Sequence, residues 1–177
     1  MTANNSRILA LLSAILLAAA LRLVPHPPNF TPIGAMALFS GAYLGRRALA
    51  FVAPLAAMLL SDAILGFYSG MWVTYLAVAL IALLGSVALQ KRTPVRIGLT
   101  AVAGSVLFFA VSNFGVWALG DMYPHNIAGL VACYVAAIPF FQNTLAGDLF
   151  YATLLFGGFR IAELLVPQLE AQGAQAA

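Results

Sequence analysis

The sequence predicts an all-α integral-membrane protein: a bundle of six transmembrane helices, both termini on the inner side, with a short extra helix in the last outer loop. Three observations lead there. Of 177 residues, 63% are hydrophobic and only 7% are charged, whereas a soluble domain carries about 25% charged residues. Apolar runs at residues 8–24, 48–66, 72–89, 97–119 and 140–159 each approach the ~20 residues that cross a bilayer core as a helix. The basic residues gather on one side of the resulting threading.

Helix 1 begins after Arg7. Arg7, the apolar run and Ala18-Ala19-Ala20 imitate a secretory signal peptide. The run continues to Leu23 and Val24, however, and a multi-span chain follows, so a retained first span is expected. Ala10, Ala14 and Ala18 recur one turn apart, a stripe of small residues that lets another helix approach closely. Next comes PHPPNFTP, residues 25–32, a rigid polar knot with four prolines between two apolar segments. Thr31 is placed to cap the following helix, and Pro32 to take its first position, where a missing N–H costs nothing. That helix, 33–44, is about 18 Å long at 1.5 Å per residue and reads as a short, tilted second span ending near Gly45.

Residues 48–66, 72–89 and 97–119 supply the third to fifth spans. The run at 127–138 lies between Pro124 and Pro139 and reads as a surface or re-entrant helix, leaving 140–159 as the sixth span. This threading puts Arg7, Arg46, Arg47, Lys91, Arg92, Arg96 and Arg160 inside and only Arg22 outside. That is the positive-inside pattern of a multi-pass protein, here expected in a bacterial cytoplasmic (inner) membrane. Residues 1–166 form a single transmembrane domain, and 167–177 a polar, Ala/Gln-rich tail.

Polar side chains at membrane depth are costly and mark function by default. Asp62, Asn113, Gln142 and Asn143 fall in the outer parts of their spans, and Asp148 about midway along the sixth. The outer loops and span ends add His26, Asn29, Tyr68, Trp72, Trp117, Tyr123, His125 and Asn126. Such an outward cluster is what a binding site with aromatic walls and a few aimed polar groups produces. Each residue also has a plain structural use. The aromatics suit an interfacial belt. Asn113 and Asn143 can bond one another across helices, Asp62 can serve loop N–H groups, and Asp148 has Thr144 and Tyr151 within helical reach.

Several classes are set aside. His26 and His125, even with Asp62, lack metal-ligand spacing, so no metal or other cofactor is expected. Cys133 is a lone cysteine suited to core filling. There is no phosphate-binding loop for ATP and no hydrolase or kinase signature, so the chain reads as not an enzyme. A membrane enzyme pairing Asp148 or Asp62 with a histidine would need the two within hydrogen-bond reach. The arginines mark topology and not a nucleic-acid surface.

The segments RLVPHPPNFTPIGAMALFSGAYLG, SDAILGFY, SNFGVWA and PFFQNTLAGDLFYATLLFG resemble an uncharacterised bacterial membrane family related to the S components of energy-coupling-factor (ECF) vitamin transporters. The resemblance covers about residues 22–159. It implies a substrate-binding subunit that takes up a vitamin, precursor or related compound from outside. Loops 1, 3 and 5 and the outer ends of helices 4–6 would form the site. It further implies that the Ala10, Ala14 and Ala18 stripe meets a transmembrane coupling subunit carrying ATPases. The competing expectations are a non-transport scaffold in envelope assembly, whose bundle would be filled by side chains, and a solitary cobalamin or metal transporter. Small-molecule substrate and membrane lipid are the expected partners.

Overall fold

A computed structural model describes residues 3–169. The described residues form six α-helices: α1 (Ala3–Ala20), α2 (Ile33–Leu44), α3 (Ala48–Leu65), α4 (Met71–Ala88), α5 (Pro94–Leu119) and α6 (Ile127–Leu165). Short 3₁₀ turns follow α1 at Leu21–Leu23 and α6 at Pro167–Leu169. Five helices, all except α2, are long and apolar enough to cross a membrane, which makes this a multi-pass membrane protein.

The 12-residue α2 is the axis of the bundle. Every residue from Ile33 to Gly41 is buried, and the helix packs against all five long ones. A helix that is apolar all round belongs in such a core. Its tightest contact is with α4. A Cβ on Gly41 would lie 1.9 Å from the Ala82 carbonyl oxygen, and one on Gly85 would lie 2.5 Å from that of Leu38. The two backbones therefore touch, which is how membrane helices gain dispersion energy where lipid supplies no hydrophobic drive. On the other side, Phe39 sets its ring edge-on to Phe156 and Phe159 at 5.3 and 5.5 Å.

Gly45, at φ +68°, ends α2, and the Ser40 hydroxyl donates to the Ala50 carbonyl at 2.8 Å to hold the corner into α3. Here lies the basic end of the molecule. Arg7 and Arg92 share a pocket with Arg46 and Arg47, and Arg7 pairs with Glu163 at 3.0 Å. The start of α1 and the end of α6 thus meet at one end. Leu169 is buried where the last turn packs on α1, so the expected tail begins docked. Residues 170–177 of that tail lie outside the described residues.

Two local expectations need correcting. Residues 127–138 are not a separate outer helix but the first third of α6, a continuous 39-residue helix with Pro139 inside it. At 1.5 Å per residue it is about 58 Å long. Proline removes one main-chain bond, a loss that a membrane helix tolerates where neighbours support it. Support comes from α5: the Tyr134 hydroxyl donates to the Ala110 carbonyl at 2.6 Å. Phe109 packs on Tyr134 and Phe141, on either side of the proline, at 5.6 and 5.1 Å. The second correction concerns Thr31. Pro32, not Thr31, is the N-cap of α2, and no cap-residue side chain bonds its first turn.

The α2–α4 contact can be tested against an open glycine. Gly41→Leu should cost about 3 kcal/mol or more through overpacking. Gly157→Ala, with nothing within 4 Å of the new Cβ, should change stability by less than about 1 kcal/mol. Thermal unfolding in detergent compares them, and equal losses would contradict the backbone contact.

Candidate functional site

The PHPPNFTP segment is folded down along α6. The Pro27 carbonyl accepts the Phe30 N–H at 3.0 Å, closing a turn with Pro28 and Asn29 at its centre, the residues a type II turn prefers there. Asn29 has φ +63°, a left-handed conformation that asparagine tolerates. Asn143 of α6 donates its Nδ2 to the Pro28 carbonyl at 2.9 Å. Deeper, Gly147 admits the loop backbone: a Cβ there would stand 3.2 Å from Phe30 Cα and Thr31 N. The Phe30 ring packs on Phe150 and Tyr151 at 5.7 and 5.6 Å. Together these contacts bring the start of α2 to Asp148.

Asp148 is 2% exposed. Ser105 of α5 donates to its Oδ2 at 2.6 Å, and the start of α2 lies against the same carboxyl. The first N–H groups of a helix have no partner within it. An acid on α6 thus stands against the first turn of α2, where Thr31 was expected to act. Gly34 makes this approach possible, because a Cβ there would lie 2.3 Å from Oδ1. The partners expected from helical spacing are engaged elsewhere. Thr144 Oγ1 donates to the Phe140 carbonyl at 3.3 Å, and the Tyr151 ring packs on Phe30 and Phe150.

The second acid, Asp62, does not serve loop N–H groups either. Arg22, in the turn after α1, pairs with it at 2.8 Å, and the Tyr75 hydroxyl donates to its other oxygen at 2.8 Å. Arg22 also donates to Ser61 Oγ and to the Met58 carbonyl at 3.4 Å. The side chains of Arg22 and Asp62 are only 10% and 1% exposed, so this is a buried, multiply bonded ion pair.

A cavity of about 260 Å³ adjoins these two networks, reached by Arg22, Asn29, Tyr68, Thr74, Thr144 and Asp148. Phe108 and Ile33 supply apolar wall. A guanidinium, a carboxyl, an amide and hydroxyls thus converge on one small volume, an arrangement able to hold a compact polar molecule that both donates and accepts hydrogen bonds.

Of the sequence candidates, Asn29, Tyr68 and Asp148 reach the cavity. Asp62 stands behind Arg22, and Asn143 tethers the loop. The remainder are employed elsewhere. His26 donates Nδ1–H to the Pro27 carbonyl at 2.9 Å. Asn113 Nδ2 donates to the Phe109 carbonyl at 2.8 Å, not to Asn143, and its own carbonyl accepts the Cys133 thiol at 3.5 Å. Between α5 and α6, Trp117 Nε1 donates to the Pro124 carbonyl at 3.0 Å. His125 Nε2 lies 3.1 Å from the Gly120 carbonyl, and Asn126 Oδ1 caps α6 by accepting the Gly129 N–H at 2.9 Å. Trp72 and Gln142 are exposed and Tyr123 is half-buried in that loop. Ala10, Ala14 and Ala18 line a separate apolar groove of about 430 Å³ between α1 and α6.

Arg22, Thr74 and Thr144 are not among the sequence candidates. Arg22 did carry a signal, as the one basic residue on the wrong side of the charge pattern, and Thr144 did as a helical neighbour of Asp148; Thr74 carried none. Among the described residues, no three His, Cys, Asp or Glu side chains gather as a metal site requires. The ion pairs among those residues involve neither histidine.

Removing one partner of a buried pair strands the other's charge. Arg22→Met and Asp62→Leu should each destabilise the protein by about 3–5 kcal/mol, and the double variant should recover most of that. Unfolding midpoints in detergent report the cycle, and simple additivity would contradict it.

Comparison with curated proteins and with solved structures found no match. The model of a family described as a family of unknown function (DUF6580) matches residues 2–169. With nearly the whole chain covered, the protein belongs to the DUF6580 family.

Proposed function

We propose that this protein is a membrane-embedded substrate-binding subunit that captures a small polar micronutrient from the outer face of a bacterial cytoplasmic membrane, in the manner of an ECF S component. The observation that carries this reading is the cavity beside α2, where Arg22 and Asp148 meet hydroxyls and the Asn29 turn. With the basic end inside, the cavity opens outward, six passes are made with α2 as a short one, and both termini lie inside.

The dimensions narrow the ligand. About 260 Å³ lies just below the ~300–1,000 Å³ of pockets for drug-sized molecules. A compact precursor fits better than a bulky vitamin, and cobalamin is far too large. Arg22 is suited to an acidic group on the ligand, because its planar fork presents several donors. The proline-rich turn is tethered in advance, which lowers the ordering cost of binding.

The sequence holds no ATP-binding loop, so uptake would draw on a coupling subunit with ATPases. The apolar groove flanked by Ala10, Ala14 and Ala18 supports a helix docking there. An envelope-assembly scaffold would also find use for that groove, but it has no need of a cavity lined by a buried arginine.

Filling the cavity tests the reading. Wild-type protein should be stabilised by at least one small polar metabolite in a thermal-shift panel or carry it through purification, as seen by mass spectrometry of extracts. Thr74→Phe and Thr144→Phe should weaken that binding roughly tenfold or more, a loss of about 1.4 kcal/mol, while still folding. A panel with no stabilising compound, or filled variants that bind as well as wild type, would overturn the proposal.

A further inference from the structure

A second feature lies at the opposite, basic end. There α5 and α6 together line an open trough of about 610 Å³. Gly98 of α5 and Gly157 of α6 both line it, and a Cβ at either would meet no atom within 4 Å. Ile97 and Phe156 make its sides apolar. On α6 it extends from Leu149 to Arg160, about 17 Å at 1.5 Å per residue. That is close to one leaflet of a ~30 Å hydrocarbon core.

The mouth of the trough is cationic. Arg92 and Arg160 stand there with Glu163 and Tyr43. Glu163 is already shared between Arg7 at 3.0 Å and Arg160 at 3.4 Å, so three guanidinium groups face one carboxylate. Arg92 is fixed in place, donating to the Ala42 carbonyl at 3.1 Å with its guanidinium 4.5 Å from the Tyr43 ring centroid. Arg160, with its side chain 59% exposed, presents its guanidinium at the surface of the mouth. An apolar channel one leaflet long beneath a mouth where arginines outnumber carboxylates is the complement of one molecule class that every membrane contains.

We propose that this trough binds an anionic phospholipid, with its phosphate between Arg92 and Arg160 and an acyl chain lying against Gly98 and Gly157. Basic pockets between membrane helices at the headgroup level recognise lipids in this way. The inference needs only that the chain spans a membrane, and it stands apart from the ligand cavity at the other end.

Native mass spectrometry of the full chain, after exchange into vesicles of phosphatidylcholine with or without phosphatidylglycerol, reads it directly. The wild type should retain phosphatidylglycerol in preference to phosphatidylcholine. Arg160→Gln should lower that retention roughly fivefold, the contribution of one basic residue near a charged surface. Arg92→Gln should do the same, and Gly157→Leu should block the lipid without lowering the unfolding temperature. Equal retention of the two lipids by the wild type, or undiminished phosphatidylglycerol in the variants, would overturn the proposal. So would stabilisation by inorganic phosphate alone matching that by the lipid, since the arginines would then hold a free anion.

Discussion

A helix that begins inside a bundle must start where water is scarce, and α2 starts against the buried, hydrogen-bonded carboxyl of Asp148. That one contact accounts for much of the rest. It lets α2 be short, because the helix starts beside the middle of α6 instead of at the membrane surface. It requires the preceding loop to descend along α6, which Gly147 and Asn143 permit and guide. It also requires Gly34 at the point of closest approach. Ser105 supplies a further hydrogen bond that a buried carboxyl needs.

The polar cavity follows from this geometry. A chain that enters the bundle as a loop leaves a volume that regular helices would have filled, and the groups around it were already needed to satisfy backbone and charge. Arg22 and Asp62 hold the turn after α1 to the end of α3, and Tyr75 ties α4 to the same pair. The opposite end is organised differently, by arginines stacked on Tyr43 and sharing Glu163. One end thus buries compensated charge around a cavity, while the other leaves positive charge over a trough.

Much of the helical layout was legible in the sequence. Length and apolarity marked the long helices, and the short run at Ile33–Leu44 is α2 with those bounds. Proline, read as punctuation, was the main source of error. Pro139 reads as a boundary in the sequence, but aromatic contacts between α5 and α6 carry the helix through it, and no local signal announces tertiary support. The packing at the start of α2 was illegible for a related reason, since Asp148 and Gly34 are far apart in sequence and adjacent only in the fold.

The candidate site was legible in part. Sequence places many polar residues toward the loop ends of the helices but does not separate those facing a cavity from those serving as caps. Asn126 and His125 complete the turn between α5 and α6, while Asn29, Tyr68 and Asp148 reach the cavity. Arg22 was legible only as an exception to the charge pattern, an exception that its buried partner Asp62 explains.

The proposed function requires that the polar cavity beside α2 be water-accessible and open to the outer face. In a Cys133→Ser background, Thr74→Cys and Thr144→Cys should react with a membrane-impermeant maleimide added to intact cells stripped of their outer barrier. Arg46→Cys, at the basic end, should react only after permeabilisation. Cavity cysteines that stay unlabelled, or that label only once the membrane is opened, would contradict the account.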